Sequence, residues 1–333
     1  MKAVRLNEQG GPEKLHVEEI AKPKPAADEV LVRIERAAFN RRDVFITQGM
    51  YPGISLPRTL GSDGAGEIAE LGENVTGHVA GTPVVINPEL AWQDEGLQRH
   101  GNILGMPTDG TFAQYVAVPA TNVYRKPKPL SYDEAAAIPL AGLTAYRAVF
   151  TRGKITKDDI VFIPGVGSGV QTFALLYAVY VGARTIVTSG SDAKLERAKQ
   201  LGADVTINYK TDPDWHKTAR KAADGQGPTL TIDSTGGETL TRCLDIARVG
   251  SRVVIYGGTH GDAKIRPFSI FWKHLDVLGT SMGSPSDFKA MLQLFEGGLR
   301  PAVDRVYPME QAAEAAQHVL DGNQFGKVIL SIE

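Results

Sequence analysis

Apolar residues fall along this chain in two rhythms. In the middle they form short unbroken runs, at 160–164, 185–188, 205–209, 230–234, 252–256 and 276–280, with helix-like segments between most of them. A strand covered on both faces reads as a continuous apolar run, so six such runs alternating with helices predict an α/β fold with a doubly wound parallel sheet. Nearer the N-terminus the rhythm is alternation. EVLVRIE at 29–35 and TFAQYVAV at 111–118 put every second side chain on an apolar face, as half-buried strands do. Glycines and prolines crowd the connections there, in YPGISLPRTL at 51–60 and GSDGAG at 61–66, which suits a compact, irregular β-barrel.

The prolines of RKPKP at 125–129 interrupt the pattern and forbid a helix. The predicted organisation is therefore a barrel domain at 1–125 and a parallel-sheet domain at 126–283 that opens with helices at 131–138 and 143–151. Residues 284–333 then return to the first domain, with helices near 287–296 and 310–320 and a closing strand at 327–332. Two domains are what a chain of 333 residues calls for. The sixth run, 276–280, is expected at a sheet edge, where Val277 and Leu278 invite pairing with a second copy. A homodimer is expected, with a tetramer left open.

Composition narrows the partners. Charged residues make up 22% and the net charge is −2, so no basic excess exists to attract nucleic acid or an anionic membrane. The longest apolar helical stretch, 173–181, is too short to span a bilayer, and the N-terminus carries Lys2, Arg5 and Glu8; a cytoplasmic location is expected. Cys243 is the only cysteine, which rules out an internal disulfide and a cysteine-rich metal site. It lies in the helix-like run 239–247, where a buried structural thiol is expected.

Residues 158–191 carry the chemistry. The first apolar run ends in a glycine-rich turn, Gly165, Gly167, Ser168, Gly169 and Val170, that opens a helix. Glycines there let a backbone approach a pyrophosphate, and a helix N-terminus supplies free N–H groups. The third glycine of the usual pattern is replaced by Gln171. Twenty residues beyond Gly169, where NAD-binding units carry a carboxylate for the ribose, stands Ser189. Thr188, Ser189, Gly190 and Ser191 offer hydroxyl and amide donors, and Lys194 and Arg197 follow at helical spacing. A 2′-phosphate is welcome in such a place, so NADPH is favoured over NADH.

Several motifs complete the picture: AAFNRRDVFITQGMYP (37–52), GSDGAGEI (61–68), PLAGLTAY (139–146), AKQLGADVTINY (198–209), TIDSTGG (231–237), LGTSMGS (278–284) and FGKVIL (325–330). With the nucleotide fingerprint they span nearly the whole chain, which resembles a medium-chain dehydrogenase/reductase and is most similar to the zinc-independent quinone oxidoreductase and zeta-crystallin branch. The resemblance implies a GroES-like catalytic domain beside a Rossmann domain, an active site in the cleft between them, and hydride transfer from a nicotinamide. Zinc-dependent members place metal ligands at positions matching Asn40, Ser62 and Asp63, of which only Asp63 suits zinc. The seven histidines show no paired spacing. Residues 86–110 keep the length of a four-cysteine lobe without a cysteine, and with Trp92 and Leu97 the loop is open to packing on a neighbour, covering the cleft or lying plainly in solvent.

By resemblance, Asn40 donates to the substrate carbonyl or positions the ribose, Tyr51 orients the carbonyl or relays a proton, and Thr144 lies beside the nicotinamide. Lys194 and Tyr209 surround the 2′-phosphate and adenine, Gly257 faces the adenosine, Ser281 and Met282 approach the nicotinamide, and Gly326 with Lys327 returns to the cleft as a cofactor contact. Arg41, Arg42 and Asp43 are expected to form local ion pairs. The implied reaction is NADPH-dependent reduction of a quinone or α,β-unsaturated carbonyl without a metal. A zinc-type alcohol dehydrogenase, an enoyl-thioester reductase and a non-catalytic NADPH-binding protein are the alternatives.

Overall fold

The computed structural model describes residues 1–92 and 102–332. They form two compact units, Met1–Leu143 with Gly283–Glu333, and Thr144–Met282.

The first unit opens with β1 (Lys2–Leu6), β2 (Leu15–Glu19), β3 (Glu29–Ala38) and the helix α1 (Arg41–Thr47). After β4 (Arg58–Thr59) come β5 (Asp63–Leu71), β6 (Pro83–Ile86), β7 (Tyr115–Pro119) and β8 (Val123–Arg125). Strand β3 runs to Ala38, beyond the alternating stretch 29–35, because pairing with β5 supports its last residues. Strand β7 starts only at Tyr115, since Thr111 N and Phe112 N donate instead to Gly61 O and Leu60 O. Helix α2 (Tyr132–Ala137) is closed at its start by a capping box between Ser131 and Glu134. It packs on β3 and β5, which is why residues 126–143 belong to this unit and not, as the proline-rich linker suggested, to the next. Helix α3 (Pro139–Tyr146) begins on a proline, four residues before the expected 143, and runs on as a π-helical turn, Arg147–Arg152.

The second unit alternates strand and helix: β9 (Ile160–Ile163), α4 (Gly169–Val181), β10 (Arg184–Ser189), α5 (Asp192–Gln200), β11 (Val205–Asn208), α6 (Trp215–Ala222), β12 (Leu230–Asp233), α7 (Gly237–Ile246), β13 (Arg252–Ile255), α8 (Pro267–Phe271) and β14 (Asp276–Gly279). Each of the six apolar runs is a strand. All are parallel, in the order β11-β10-β9-β12-β13-β14, with β14 at an edge as expected. The order reverses between β9 and β12, and in such sheets the crevice beyond the strand ends at that point is where ligands bind. Under the sheet, Phe162, Ile186, Ile207, Trp215, Ala219 and Cys243 form a core. The buried Cys243 thiol is pushed well above its ordinary range by burial, in keeping with a structural role.

The chain then returns through α9 (Pro285–Glu296), β15 (Val303–Pro308), α10 (Ala312–Leu320) and β16 (Lys327–Ser331). Strand β16 lies parallel to β15 and antiparallel to the end of β3, pairing Ile329 with Ala38 and Leu330 with Ala37. The resulting order is β15-β16-β3-β5-β6-β8, with β7 on the free half of β3. This pairing carries Lys327, the first residue of β16, to the start of α1. Among the described residues no helix is long and apolar enough to cross a membrane.

Candidate functional site

In the second unit the turn after β9 is held in shape by its neighbours. Gly165 (φ +73°) and Gly167 (φ +123°) adopt backbone conformations that side chains resist. Gly165 N donates to Thr188 Oγ1 at 3.0 Å and Val166 N to Thr188 O at 2.7 Å. Thr188, whose hydroxyl the sequence suggested as a donor to phosphate, accepts here and braces the turn. Gln171, in place of the third glycine, donates from Nε2 to Pro164 O (3.1 Å) and Ser234 Oγ (2.6 Å) and touches Ser168 Oγ. It therefore ties the turn to the residues that follow β9 and β12, a role no motif announced. Ser168 is the N-cap residue of α4, and its side chain makes no cap bond to the backbone N–H groups of Gly169, Val170 and the next residues. A helix N-terminus built this way receives anionic groups.

At the end of β10, Ser189 is buried, and its Oγ accepts from Ser191 N at 3.3 Å. Ser191 caps α5 through Lys194 N. A methyl group placed on Gly167 would stand 2.9 Å from Lys194 Cδ and 3.5 Å from Nζ, so the lysine lies back over the glycine turn. A methyl group on Gly190 would meet Tyr209 Oη at 2.8 Å, and Tyr209 itself is 43% exposed. Gly167, Ser189, Lys194 and Tyr209 thus share one patch. The nearby carboxylate of Asp192 is turned to Asn208 Nδ2, 2.7 Å away. Gly257 sits where a methyl group would press on Ser234 O at 3.2 Å, next to the end of β12. Thr144 and Met282 are the first and last residues of this unit, both buried, with Ser281 exposed beside Met282.

The first unit concentrates polar side chains around the start of α1. Asn40 N donates to Asp43 Oδ2 at 2.7 Å in a capping box. Asn40 Nδ2 donates to Asp63 Oδ2 at 2.9 Å, and Leu140 N donates to Asp63 Oδ1 at 2.7 Å. Lys327 Nζ completes the cluster, donating to Phe39 O (2.6 Å), Asn40 Oδ1 (2.7 Å) and Asp63 Oδ2 (2.8 Å). The ion pair is sealed, with side-chain exposures of 2% for Lys327 and 0% for Asp63. An ammonium has three protons to give, and all three are taken. The pairing of β16 with β3 puts Lys327, expected as a cofactor contact, on Asn40 and Asp63.

The neighbouring arginines depart from expectation as well. Arg41 Nη1 donates to the carbonyls of Val319 and Leu320. Buried Arg42 donates to Ser62 Oγ (2.5 Å), Leu104 O (2.9 Å) and Met106 O (3.2 Å). Its Nε reaches Tyr51 Oη at 3.3 Å, and its guanidinium stands 4.9 Å from the centre of that ring. Among the described residues, neutral acceptors and not ion pairs hold both. Asp43, fully buried, has its carboxyl pushed up to about 6 by burial, against the opposing pull of Arg42. Trp92 is buried, which removes it as a surface for a neighbour, and Leu97 lies outside the described residues.

Zinc requires three or four thiolate, imidazole or carboxylate donors. The positions matching the family's ligands supply an amide, a hydroxyl and one carboxylate whose two oxygens already accept from Asn40, Leu140 and Lys327. Ser62 Oγ is engaged by Arg42 and donates to Leu104 O. Among the described residues no group of three or more His, Cys, Asp or Glu side chains could hold a metal ion. These residues do not fit a catalytic zinc.

Residues 26–128 match the family model described as an alcohol dehydrogenase GroES-like domain, and residues 169–297 the model described as a zinc-binding dehydrogenase. A zinc-type alcohol dehydrogenase-like protein of Schizosaccharomyces pombe is 36% identical over 98% of each chain. The quinone oxidoreductase of Homo sapiens is 27% identical over 99% of this chain and 97% of its own. A crystal structure of an NAD-dependent alcohol dehydrogenase superposes with a TM-score of 0.94 at 39% identity, covering 100% of both chains. The chain belongs to the medium-chain dehydrogenase/reductase superfamily, whose members are oxidoreductases that use pyridine nucleotides. Within it, higher identity is found to proteins named for alcohol dehydrogenases than to the quinone oxidoreductase, so overall likeness does not single out the quinone oxidoreductase branch.

Sequence reasoning had named Asn40, Tyr51 and Lys327 but not what joins them. The contacts that Arg42 and Gln171 make are not legible in the sequence. A lysine heading the otherwise apolar strand KVIL was the one signal available, because a charge at such a position needs a buried partner.

Proposed function

We propose that this chain is a metal-independent reductase of the quinone oxidoreductase kind, passing a hydride from NADPH to a quinone or an α,β-unsaturated carbonyl. The observation that carries the reading is the Lys327 ammonium seated on Asn40 and Asp63, where zinc-dependent relatives place ligands. Without a Lewis acid, the substrate oxygen must be stabilised by hydrogen-bond donors aimed at the charge that develops on it. The bound nucleotide supplies the hydride. Asn40 Nδ2 and the Tyr51 hydroxyl meet the developing oxyanion, and Tyr51 or water delivers the proton. Thr144, Ser281 and Met282 are proposed as nicotinamide contacts, and Gly257 as an adenosine contact.

NADPH is preferred in this reading because Ser189 stands where a carboxylate would repel a 2′-phosphate and Lys194 lies over the glycine turn beside it. The proposed assembly is a homodimer formed along the edge strand β14, next to the exposed Phe268 (58%), Phe271 and Trp272 (66%). NADPH oxidation measured against quinones, enones, alkenals, saturated aldehydes and alcohols tests the function, together with elemental analysis of the purified protein. Turnover on quinones or enones by metal-free protein is expected. Activity confined to saturated alcohols and aldehydes, or lost on stripping a stoichiometric metal, refutes the proposal.

A further inference from the structure

Asn40 and Tyr51 share an arrangement: each presents its side-chain oxygen to a buried cation. Lys327 Nζ holds Asn40 Oδ1 at 2.7 Å, and Arg42 Nε holds Tyr51 Oη at 3.3 Å. The amide is thereby locked. Turned over, it would press an N–H on the ammonium and an oxygen on the Asp63 carboxylate. One of the two Nδ2 hydrogens goes to Asp63, and the other makes no bond among the described residues. Tyr51 accepts from Arg42 and gives its own hydrogen to none of the described residues. The surrounding oxygens are already engaged: both of Asp63 accept, and Ser62 Oγ accepts from Arg42. Asp43 Oδ1 has no partner among the described residues, but it is sealed from solvent.

From this we infer that the cluster is a donor-only site, and that Arg42 and Lys327 are positioning residues that make it so by occupying the oxygens of the two side chains that donate. The inference rests on the proposed reductase reading and deepens it to a substrate class. Such a site favours an oxygen that gains negative charge, an enolate or phenolate. It suits an alcohol poorly, because an alcohol must hand its own proton to an acceptor and the side-chain oxygens of Asn40 and Tyr51 each already face a cation.

The probe is 4-nitrophenol, whose absorbance separates phenol from phenolate, titrated into the full-length protein near its own pKa. Preferential binding of the phenolate is expected. Arg42→Gln should weaken it by about tenfold, the loss of one charge-assisted bond, and Arg42→Lys should restore part of the loss. In a Tyr51→Phe background, Arg42→Gln should cost nothing further. Lys327→Met should weaken phenolate binding similarly at a temperature where circular dichroism shows it folded. Equal affinity for phenol and phenolate overturns the inference, as does an Arg42→Gln effect that persists in full without the Tyr51 hydroxyl. Phenolate binding with no turnover on the quinone and enone panel leaves the donor-only site standing and removes the reductase reading.

Discussion

Replacing Lys327 by methionine tests the heart of the first unit. The side chain that remains is of similar length and apolar, so packing is largely kept and little cavity forms. What changes is charge. Asp63, with none of its side chain exposed, would keep a carboxylate served only by Leu140 N and Asn40 Nδ2. Removing one partner of a buried ion pair costs about 3–5 kcal/mol, because the other charge stays out of water uncompensated. Phe39 O and Asn40 Oδ1 lose the same donor, which places the expectation towards the upper part of that range. For a unit of this size each kcal/mol moves the melting temperature by about 2–4 °C, so Lys327→Met should melt roughly 6–20 °C lower by calorimetry. Adding Asp63→Asn removes the stranded charge and keeps an acceptor for Leu140 N. The double variant should therefore recover at least half the loss. A single variant within about 1 kcal/mol of wild type, or a double variant as unstable as the two single losses combined, would show that the ammonium does not neutralise Asp63 as argued.

Lys194→Ala should weaken NADPH by about ten- to a hundredfold and leave NADH unchanged in fluorescence titrations, the loss of one charge-assisted bond to phosphate; equal losses for both nucleotides would refute the assignment. Asp43 predicts a particular pH dependence. Its folded carboxyl is raised from the ordinary 3.8 to about 6, so its contribution to stability is present below about pH 4 and lost as pH rises through 6. Relative to Asp43→Asn, wild type should lose roughly 3 kcal/mol between those limits in urea unfolding, an upper bound set by about 1.4 kcal/mol for each tenfold change in proton affinity. A flat difference across that window contradicts it. Finally, Phe271→Glu with Trp272→Glu should convert a dimer to monomer by light scattering, with the far-ultraviolet circular dichroism unchanged.

How far the sequence reaches differs between the two units. In the second, the six apolar runs became six strands of one parallel sheet with the sixth at an edge, and the glycine turn stands where the pattern put it. Strands covered on both faces and glycines at positive φ are local demands, met by residue type and spacing alone. In the first unit the edges moved: β3 lengthened and β7 shortened because a distant segment supplied or withheld hydrogen-bond partners, and α2 joined the barrel because it packs on β3 and β5.

The sequence by itself determined the fold class, the glycine-rich turn after β9, the missing carboxylate at Ser189 and the absence of thiolate and imidazole at positions 40, 62 and 63. Only the tertiary structure decided that Lys327 sits on Asn40 and Asp63, that Arg42 faces Tyr51 rather than a carboxylate, and that Gln171 braces the turn it interrupts. The physical reason is separation along the chain. Lys327 and Asn40 are 287 residues apart, and nothing in the composition of either segment specifies the antiparallel register that brings them together. That register is fixed by burying Val328, Ile329 and Leu330 against the end of β3.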